Sequence, residues 1–368
     1  MDSTATPPLE DLDDASWVTS RQPTAFEILA RVVSFPRTLV RHRDLIHSSV
    51  KRELATRFQG TLLGFLWPLV HPLFIFAVYY FIFTKLLSFK MPALPPGQES
   101  AMGVYMFIGV LVWAAFAESV GVGCNIIVDN GNLIKKLAFP SEILPLNIVL
   151  GNIVTMLFGV AMYLAGTAAT PIWEVPGVLL LWMPILLLLQ ILFTYGLVLI
   201  LATLQVFLRD TAQMVSIGIT VWMFLTPLFW VPEAIPQISK YVPWIQINPM
   251  NHLVFAWREV LMNVSGVLTT VQDSVNGNTI YQANEALSRA GFSPERLLSF
   301  DNPSTEAIQR TNELLGQIEP PTNVVVTQLH LSHDLVQSVG IFGIWAVGLF
   351  VVGFCFFIMA QRRFADEV

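Results

Sequence analysis

Residues 335 to 360, LVQSVGIFGIWAVGLFVVGFCFFIMA, contain no charged side chain and suffice to cross the hydrocarbon of a bilayer as one helix. Four further runs meet the same requirement of roughly 20 mostly apolar residues: about 61–83, 102–127, 143–168 and 177–207. A sixth, 211–231 (TAQMVSIGITVWMFLTPLFWV), opens just after Arg209 and Asp210, whose charges split an otherwise continuous apolar stretch into two helices. In lipid every backbone amide needs an internal partner, so runs of this kind are read as helices. The expectation is an all-α integral membrane protein with six transmembrane helices and both termini on one side. With 54% hydrophobic and only 12% charged residues, the chain lies outside the balance of a soluble domain.

Charge is sorted along the chain, and the sorting predicts orientation. Residues 2–14 carry five acids and no base, whereas 21–57 carry eight Lys or Arg against three acids. Placing both termini in the cytoplasm puts those bases, Lys135, Lys136, Arg209, Arg362 and Arg363 on the inner side, which is where Lys and Arg flanking membrane helices accumulate. The outer side then keeps Lys85, Lys90, Lys240, Arg258 and three arginines of a long loop, which the rule weighs little. The first twenty residues have neither a basic nor an apolar region of a cleavable signal, so the first span does the targeting. Residues 1–35 read as a disordered or loosely ordered cytoplasmic tail. Cys124 and Cys355 both fall in apolar runs and read as core residues rather than a disulfide.

The outer segments are unequal. Residues 84–100 form a Pro-rich loop and 169–176 a turn, but 232–334 is far longer. Its first part, 232–262, is Pro-broken, amphipathic and rich in aromatic residues, as short re-entrant helices in a headgroup layer would be. Residues 263–333 have ordinary soluble composition and predict a small external soluble lobe. Within it Ser304 can cap a helix to about Leu315, ended by Gly316, and NVVVTQLHL (323–331) alternates as a strand does. His330, His333 and Asp334 form an HxxHD cluster, but without a third strong ligand nearby no metal site is assigned. The domain reading is 1–35 tail, 36–262 membrane domain, 263–333 external insertion, and 334–368 last span with a cytoplasmic end.

On the inner side, Ile46, Val50, Leu54 and Phe58 recur every four residues, predicting an N-terminal amphipathic interfacial helix over 44–58. It reads either as a plain anchor or, through Arg41, Arg43, Lys51, Arg52 and Arg57, as a cluster of cations for an anionic lipid headgroup at a lateral entrance. The stretch NGNLIKKLAFPSEILPL (130–146) falls in the loop between the second and third spans. A return turn needs few residues, yet Asp129 to Glu142 form a helix-like segment presenting Leu133, Ile134 and Leu137, for which a protein partner is the economical explanation. Glu118 is the one acid deep in a span, where a carboxyl normally has a partner or a task. Gly121 and Gly123 beside it suggest close helix approach and a structural role.

These blocks, RHRDLI (41–46), FQGTLLGFLWPLVHPL (58–73), FAESV (116–120), the 130–146 stretch, LRD (208–210), TPLFWVPEAIP (226–236) and INPMNHLVFAWREVL (247–261), resemble the permease subunit of type 2 ABC transporters that export polysaccharides. That family includes exporters of O-antigen, capsule and teichoic acid. The resemblance covers about 40–262 and, more weakly, 335–363. It implies a homodimer of six-span chains in the bacterial cytoplasmic membrane, docked on two copies of a P-loop ATPase that binds ATP and Mg. This chain holds no Gly-Lys dipeptide, hence no phosphate-cradling loop and no cofactor of its own. The family's coupling helix falls on Asn130, Leu133, Ile134, Lys135, Lys136, Phe139 and Pro140, although the lysines also serve as topogenic charge. Arg209 and Asp210 fall in the loop between spans four and five, as a boundary ion pair or an ATPase contact.

A lipid-linked polysaccharide needs polar contacts and flat apolar platforms along its route. Phe76, Tyr79, Tyr80 and Phe83 on the first span and Trp222 and Phe229 on the fifth are candidate channel rings, with helix packing as the competing role. Glu118 could serve as a polar handle there. Besides lipids and the polymer, no nucleic acid partner is indicated. Three alternatives stand beside the polysaccharide exporter: a drug or small-lipid exporter of the same type, a membrane enzyme acting on lipid-linked sugars, and an ion-driven carrier. The enzyme would need convergent carboxylates or a His-acid pair, which the membrane region lacks. The carrier would need more intramembrane ionisable pairs than Glu118 supplies.

Overall fold

The computed structural model describes residues 25–58, 60, 62, 64, 67–86, 101–136, 140–169, 177–230, 242–262, 269–273, 279–282, 324–328 and 335–367. Four helices are long and apolar enough to cross a membrane. They are α4 (Ala101–Asp129), α6 (Ile143–Ala169), α7 (Met183–Phe207, entered through a 3-10 turn at Val178–Trp182) and α11 (Leu335–Ala360). Two shorter apolar helices, α3 (Trp67–Tyr79) and α8 (Thr211–Leu225), stand where the first and fifth spans were expected. The chain is a multi-span membrane protein whose apolar runs form helices.

Both short helices differ from the expected spans at one end, for local reasons. Gly60 and Gly64 adopt φ of 78° and 47°, left-handed values that cannot continue a helix, so α3 begins only at Trp67. Beyond Tyr79 a wider π-helical segment, Tyr80–Leu86, prolongs it. At the other break Pro227 forces the preceding residue out of the helical region, and Thr226 sits at φ −94°, ψ 133°. The fifth run therefore stops at Leu225 rather than 231.

The N-terminal reading needs two corrections. Helix α1 (Ala25–Arg41) occupies part of the segment assigned to a loose tail. Its stripe Ile28, Val32, Phe35 and Leu39 returns at helical spacing and packs on the core, which stabilises helix where the acidic residues before it give no such return. The second correction concerns α2 (Arg43–Phe58), the helix expected to lie with one apolar face in the leaflet. Leu54 is buried and Ile46 packs on the core, so its apolar stripe meets the bundle, against α6. Of the two, α1 has the stronger segregation of polar and apolar residues.

Between spanning helices, close packing of small residues replaces the hydrophobic drive that lipid removes. Helices α7 and α11 show this most clearly. A Cβ placed on Gly196 would lie 2.6 Å from the backbone of Leu349 and Phe350, and one on Gly353 would collide with the Gly196 carbonyl. Polar groups inside the bundle are bonded across helices. Gln190 on α7 donates to the Val112 carbonyl of α4 at 3.4 Å, and Asn152 on α6 donates to Ser119 of α4 at 3.1 Å.

Between α8 and α11 the described residues form α9 (Val242–Ile247), α10 (Pro249–Met262) and three strands, β1 (Thr269–Asp273), β2 (Thr279–Gln282) and β3 (Val324–Gln328). The strands form an antiparallel sheet in the order β2-β1-β3, with Val271 opposite both Ile280 and Val326. β3 falls inside the strand read from residues 323–331. The helix expected from Ser304, and His330, His333 and Asp334, lie outside the described residues.

The glycine contact gives a direct test. Gly353→Ala should destabilise the bundle by about 1–3 kcal/mol, as overpacking does. Gly348→Ala, where an added Cβ meets no described atom within 4 Å, should leave it unchanged. Thermal unfolding in detergent compares the two.

Candidate functional site

At one end of the bundle, α5 (Gly131–Lys136) links α4 to α6. The Asn130 carbonyl accepts from the backbone amides of Leu133 and Ile134, and its side chain donates to the Ile126 carbonyl at 2.9 Å, so Asn130 builds the corner. Leu133 and Ile134 are half-buried and pack in part on the core. The side chains turned outward are Asn132 and Lys135. Lys136 closes the helix, Pro140 is half-buried, and Leu137 and Phe139 lie outside the described residues. Pro145 stands in the first turn of α6, where its missing amide costs little.

Two other segments carry exposed charge, and the second of them borders α5. Arg209 and Asp210 are exposed in the turn between α7 and α8. That turn is held by Gln205, whose amide donates to the Arg209 carbonyl at 3.1 Å and accepts from the Ala212 amide at 2.8 Å. The C-terminal turn, Gln361–Arg363 followed by α12 (Phe364–Glu367), packs on α5 and α7. Phe364 is fully buried there against Phe357 and Phe207, while Arg362 and Arg363 point outward. Among the candidate headgroup cations, Arg41, Arg43, Lys51 and Arg52 are exposed; Arg57 lies in the last turn of α2.

The link between α5 and α6 carries a carboxyl with a shifted affinity for its proton. Burial pushes Glu142 above its ordinary value of 4.5, against the smaller opposing effects of its own backbone hydrogen bond, the Arg31 charge, the Gln361 amide and His42. Gln361 donates to Glu142 Oε2 at 3.3 Å and to Ser141 Oγ at 2.9 Å.

At the outer end one residue that sequence reasoning left as a minor loop charge organises the site. Arg258 of α10 is 6% exposed. Its guanidinium donates to the Tyr105 carbonyl at 3.0 Å, Pro227 at 2.8 Å and Leu228 at 3.1 Å, and lies 3.4 Å from the centre of the Tyr105 ring. Gly109 leaves the space, since a Cβ there would strike Nη2 of Arg258. A neighbouring polar group continues the connection: Trp222 Nε1 donates to Asn248 Oδ1 at 2.8 Å, and Asn248 Nδ2 donates to Thr226 Oγ1 at 3.0 Å. Trp257 of α10 in turn donates to Gln190 at 3.0 Å. The signal that could have found this site was the charged pair Arg258 and Glu259 inside the mostly apolar HLVFAWREVLM.

Of the candidate channel rings, Phe76, Tyr79, Tyr80, Trp222 and Phe229 are half-buried and make ring contacts within the chain. Phe76 meets Phe107 at 5.2 Å and Tyr80 at 5.9 Å, and Tyr79 meets Phe229 at 6.1 Å. Trp222 packs edge-on against Phe116 at 5.3 Å and Trp113 at 6.1 Å. Phe83 belongs to the π-helical segment. Rings more exposed on the same two helices, and not singled out from the sequence, are Phe74 at 68%, Phe81 at 59% and Phe224 at 64%. Glu118 is exposed on α4 beside Gly121 and Val122. Of its two glycine neighbours, Gly123 does carry a close approach, since a Cβ added there would lie 2.5 Å from Val198 Cγ1, whereas a Cβ on Gly121 meets no described atom within 4 Å.

A bundle of long apolar helices is the architecture of a multi-pass membrane protein. A profile of the ABC-2 type transporter family matches residues 44–262, and the chain belongs to that family. It is a transport subunit whose matched domain is the membrane permease, without an ATPase domain; permeases of this family pair with ATPase subunits. Among its relatives, the O-antigen export system permease protein RfbA of Myxococcus xanthus is 32% identical over 229 residues, 62% of this chain and 84% of the relative. Two proteins of the same name from Klebsiella pneumoniae are 29% and 27% identical, each covering over 80% of the relative.

Arg258→Met should cost about 3 kcal/mol, because three buried carbonyls lose one charged donor. Gly109→Ala should act in the same direction; denaturant titration in micelles measures both. For Glu142 the folded chain holds its proton more tightly than the unfolded one. Its contribution is therefore greatest below 4.5 and is lost as pH rises through the raised value. Glu142→Gln keeps an acceptor for Gln361 and should flatten that decline, leaving a melting temperature at neutral pH no lower than the parent's.

Proposed function

We propose that the chain is the membrane subunit of an ATP-driven exporter that moves a lipid-linked polysaccharide, an O-antigen or similar glycan, across the bacterial cytoplasmic membrane. The observation that carries this reading is the likeness to O-antigen export permeases over 229 residues, 62% of the chain. In this reading α3 and α8 complete six spans, both termini are cytoplasmic, and two copies of the chain stand on two copies of a P-loop ATPase that binds ATP and Mg. The basic link α5, with Lys135 exposed and Asn130 shaping its corner, is the docking segment, joined by Arg209 and Asp210.

Two surface features support transport of a hydrated polymer. Gln213, Ser216 and Thr220 form an exposed polar stripe along α8, and Glu118 is exposed on α4, the helix α8 packs against. Phe74, Phe81 and Phe224, exposed on α3 and α8, offer apolar platforms for sugar rings beside the half-buried Phe76, Tyr79, Tyr80, Trp222 and Phe229. Arg41, Arg43, Lys51 and Arg52 on the inner surface suit a headgroup phosphate.

Co-purification with the ATPase subunit tests the docking assignment. Lys135→Glu combined with Lys136→Glu should abolish the complex, or reduce it by at least about tenfold, the scale on which a docking surface responds to reversed charge. An undiminished complex would defeat the assignment.

A further inference from the structure

Two parts of the chain, distant in sequence, meet on residues 140–142, the short passage from α5 into α6, and a third, α1, packs on them. From α7, the Tyr195 hydroxyl donates to the Glu142 backbone carbonyl at 2.9 Å. From the end of α11, Gln361 donates to Ser141 Oγ at 2.9 Å and to Glu142 Oε2 at 3.3 Å. From α1, Phe35 stacks on Tyr195 with ring centres 5.7 Å apart and planes 14° from parallel, and meets Phe354 of α11 at 4.9 Å. Ser141 and Tyr195 are 2% and 1% exposed, so these groups hold the passage from within rather than offering it to a partner.

The same two helices that grip the passage are themselves joined backbone to backbone at Gly196, one residue beyond Tyr195, and Gly353. Packed backbones do not slide past one another by small amounts, so a displacement of the passage is passed to both helices together. We propose that Gln361 and Tyr195 are positioning residues that lock the α5–α6 passage to α11 and α7, delivering the motion of α5 to the joined pair of helices. This rests on the reading of α5 as the segment moved by the ATPase. A role in stability alone would lower the amount of folded protein without separating ATP hydrolysis from export, and that separation is the observable.

Gln361→Leu removes the donor at nearly constant size, and Tyr195→Phe removes one hydroxyl. Each is introduced into the full chain, in place of the parent gene in its host and in the purified complex with the ATPase subunit. Co-purification and ATP hydrolysis should persist within about twofold, while the polysaccharide at the host cell surface falls about fivefold or more, the lower end of measured couplings between sites. Gln361→Lys keeps a donor in place and should recover export to within about twofold of the parent, as expected when a charged donor replaces a neutral one. Should Gln361→Leu fail to accumulate as folded protein, Tyr195→Phe carries the test alone. Normal export in either folded variant, or loss of the ATPase subunit from it, overturns the proposal. The Lys135→Glu, Lys136→Glu pair keeps the two ideas apart: an intact complex there defeats docking through α5, whereas normal export in Tyr195→Phe defeats only the linkage.

Discussion

A chain that leaves the α-helix near a bilayer strands carbonyl groups that no water can satisfy, and the outer half of this protein depends on how that deficit is met. The break after α8 is imposed by Pro227, and its exposed acceptors are taken by a single guanidinium from α10. The planar fork of arginine suits the task, because it donates in several directions from one rigid group while its face lies on Tyr105. Burying that charge is costly by itself, and three carbonyls plus an aromatic face offset the cost. The result is that α4, the break and α10 are held at one point, with Asn248 adding a second connection to the end of α8.

The inner half is organised differently. There the contacts are between backbones at Gly196 and Gly353, between rings at Phe35, Tyr195, Phe350 and Phe354, and between side-chain amides and hydroxyls at Ser141, Glu142 and Gln361. The two ends communicate through the middle of the bundle, where Gln190 bonds α7 to α4 and receives the indole of Trp257 from α10. An amide can donate and accept at once, so one side chain links three helices without a net charge in the apolar interior.

Hydrophobic length made the long helices legible: the runs read as 102–127, 143–168, 177–207 and 335–360 reappear nearly end for end as α4, α6, the turn leading into α7 with α7 itself, and α11. Length alone did not show where the shorter helices stop, because that depends on the φ values of Gly60 and Gly64 and on Pro227. That the 130–146 stretch leaves the spans was legible from its charges and prolines, but the corner at Asn130 and the half-burial of Leu133 and Ile134 depend on what lies behind them. Helix α1 was readable from Ile28, Val32, Phe35 and Leu39, yet the acidic residues upstream drew attention away from that stripe. Arg258 was present in plain view, and only the three carbonyls converging on it from distant positions reveal what it does.

The outer sheet is inserted between α10 and α11, two helices that pack on each other and whose facing ends, Met262 and Leu335, are both buried in the same core. The points of departure and return are thus fixed by the bundle and not by the insertion. Closing a longer loop between fixed ends costs only a slowly growing, logarithmic amount of entropy. This junction therefore suits an inserted module: the length of chain between its ends can change at small entropic cost while the bundle keeps those ends in place.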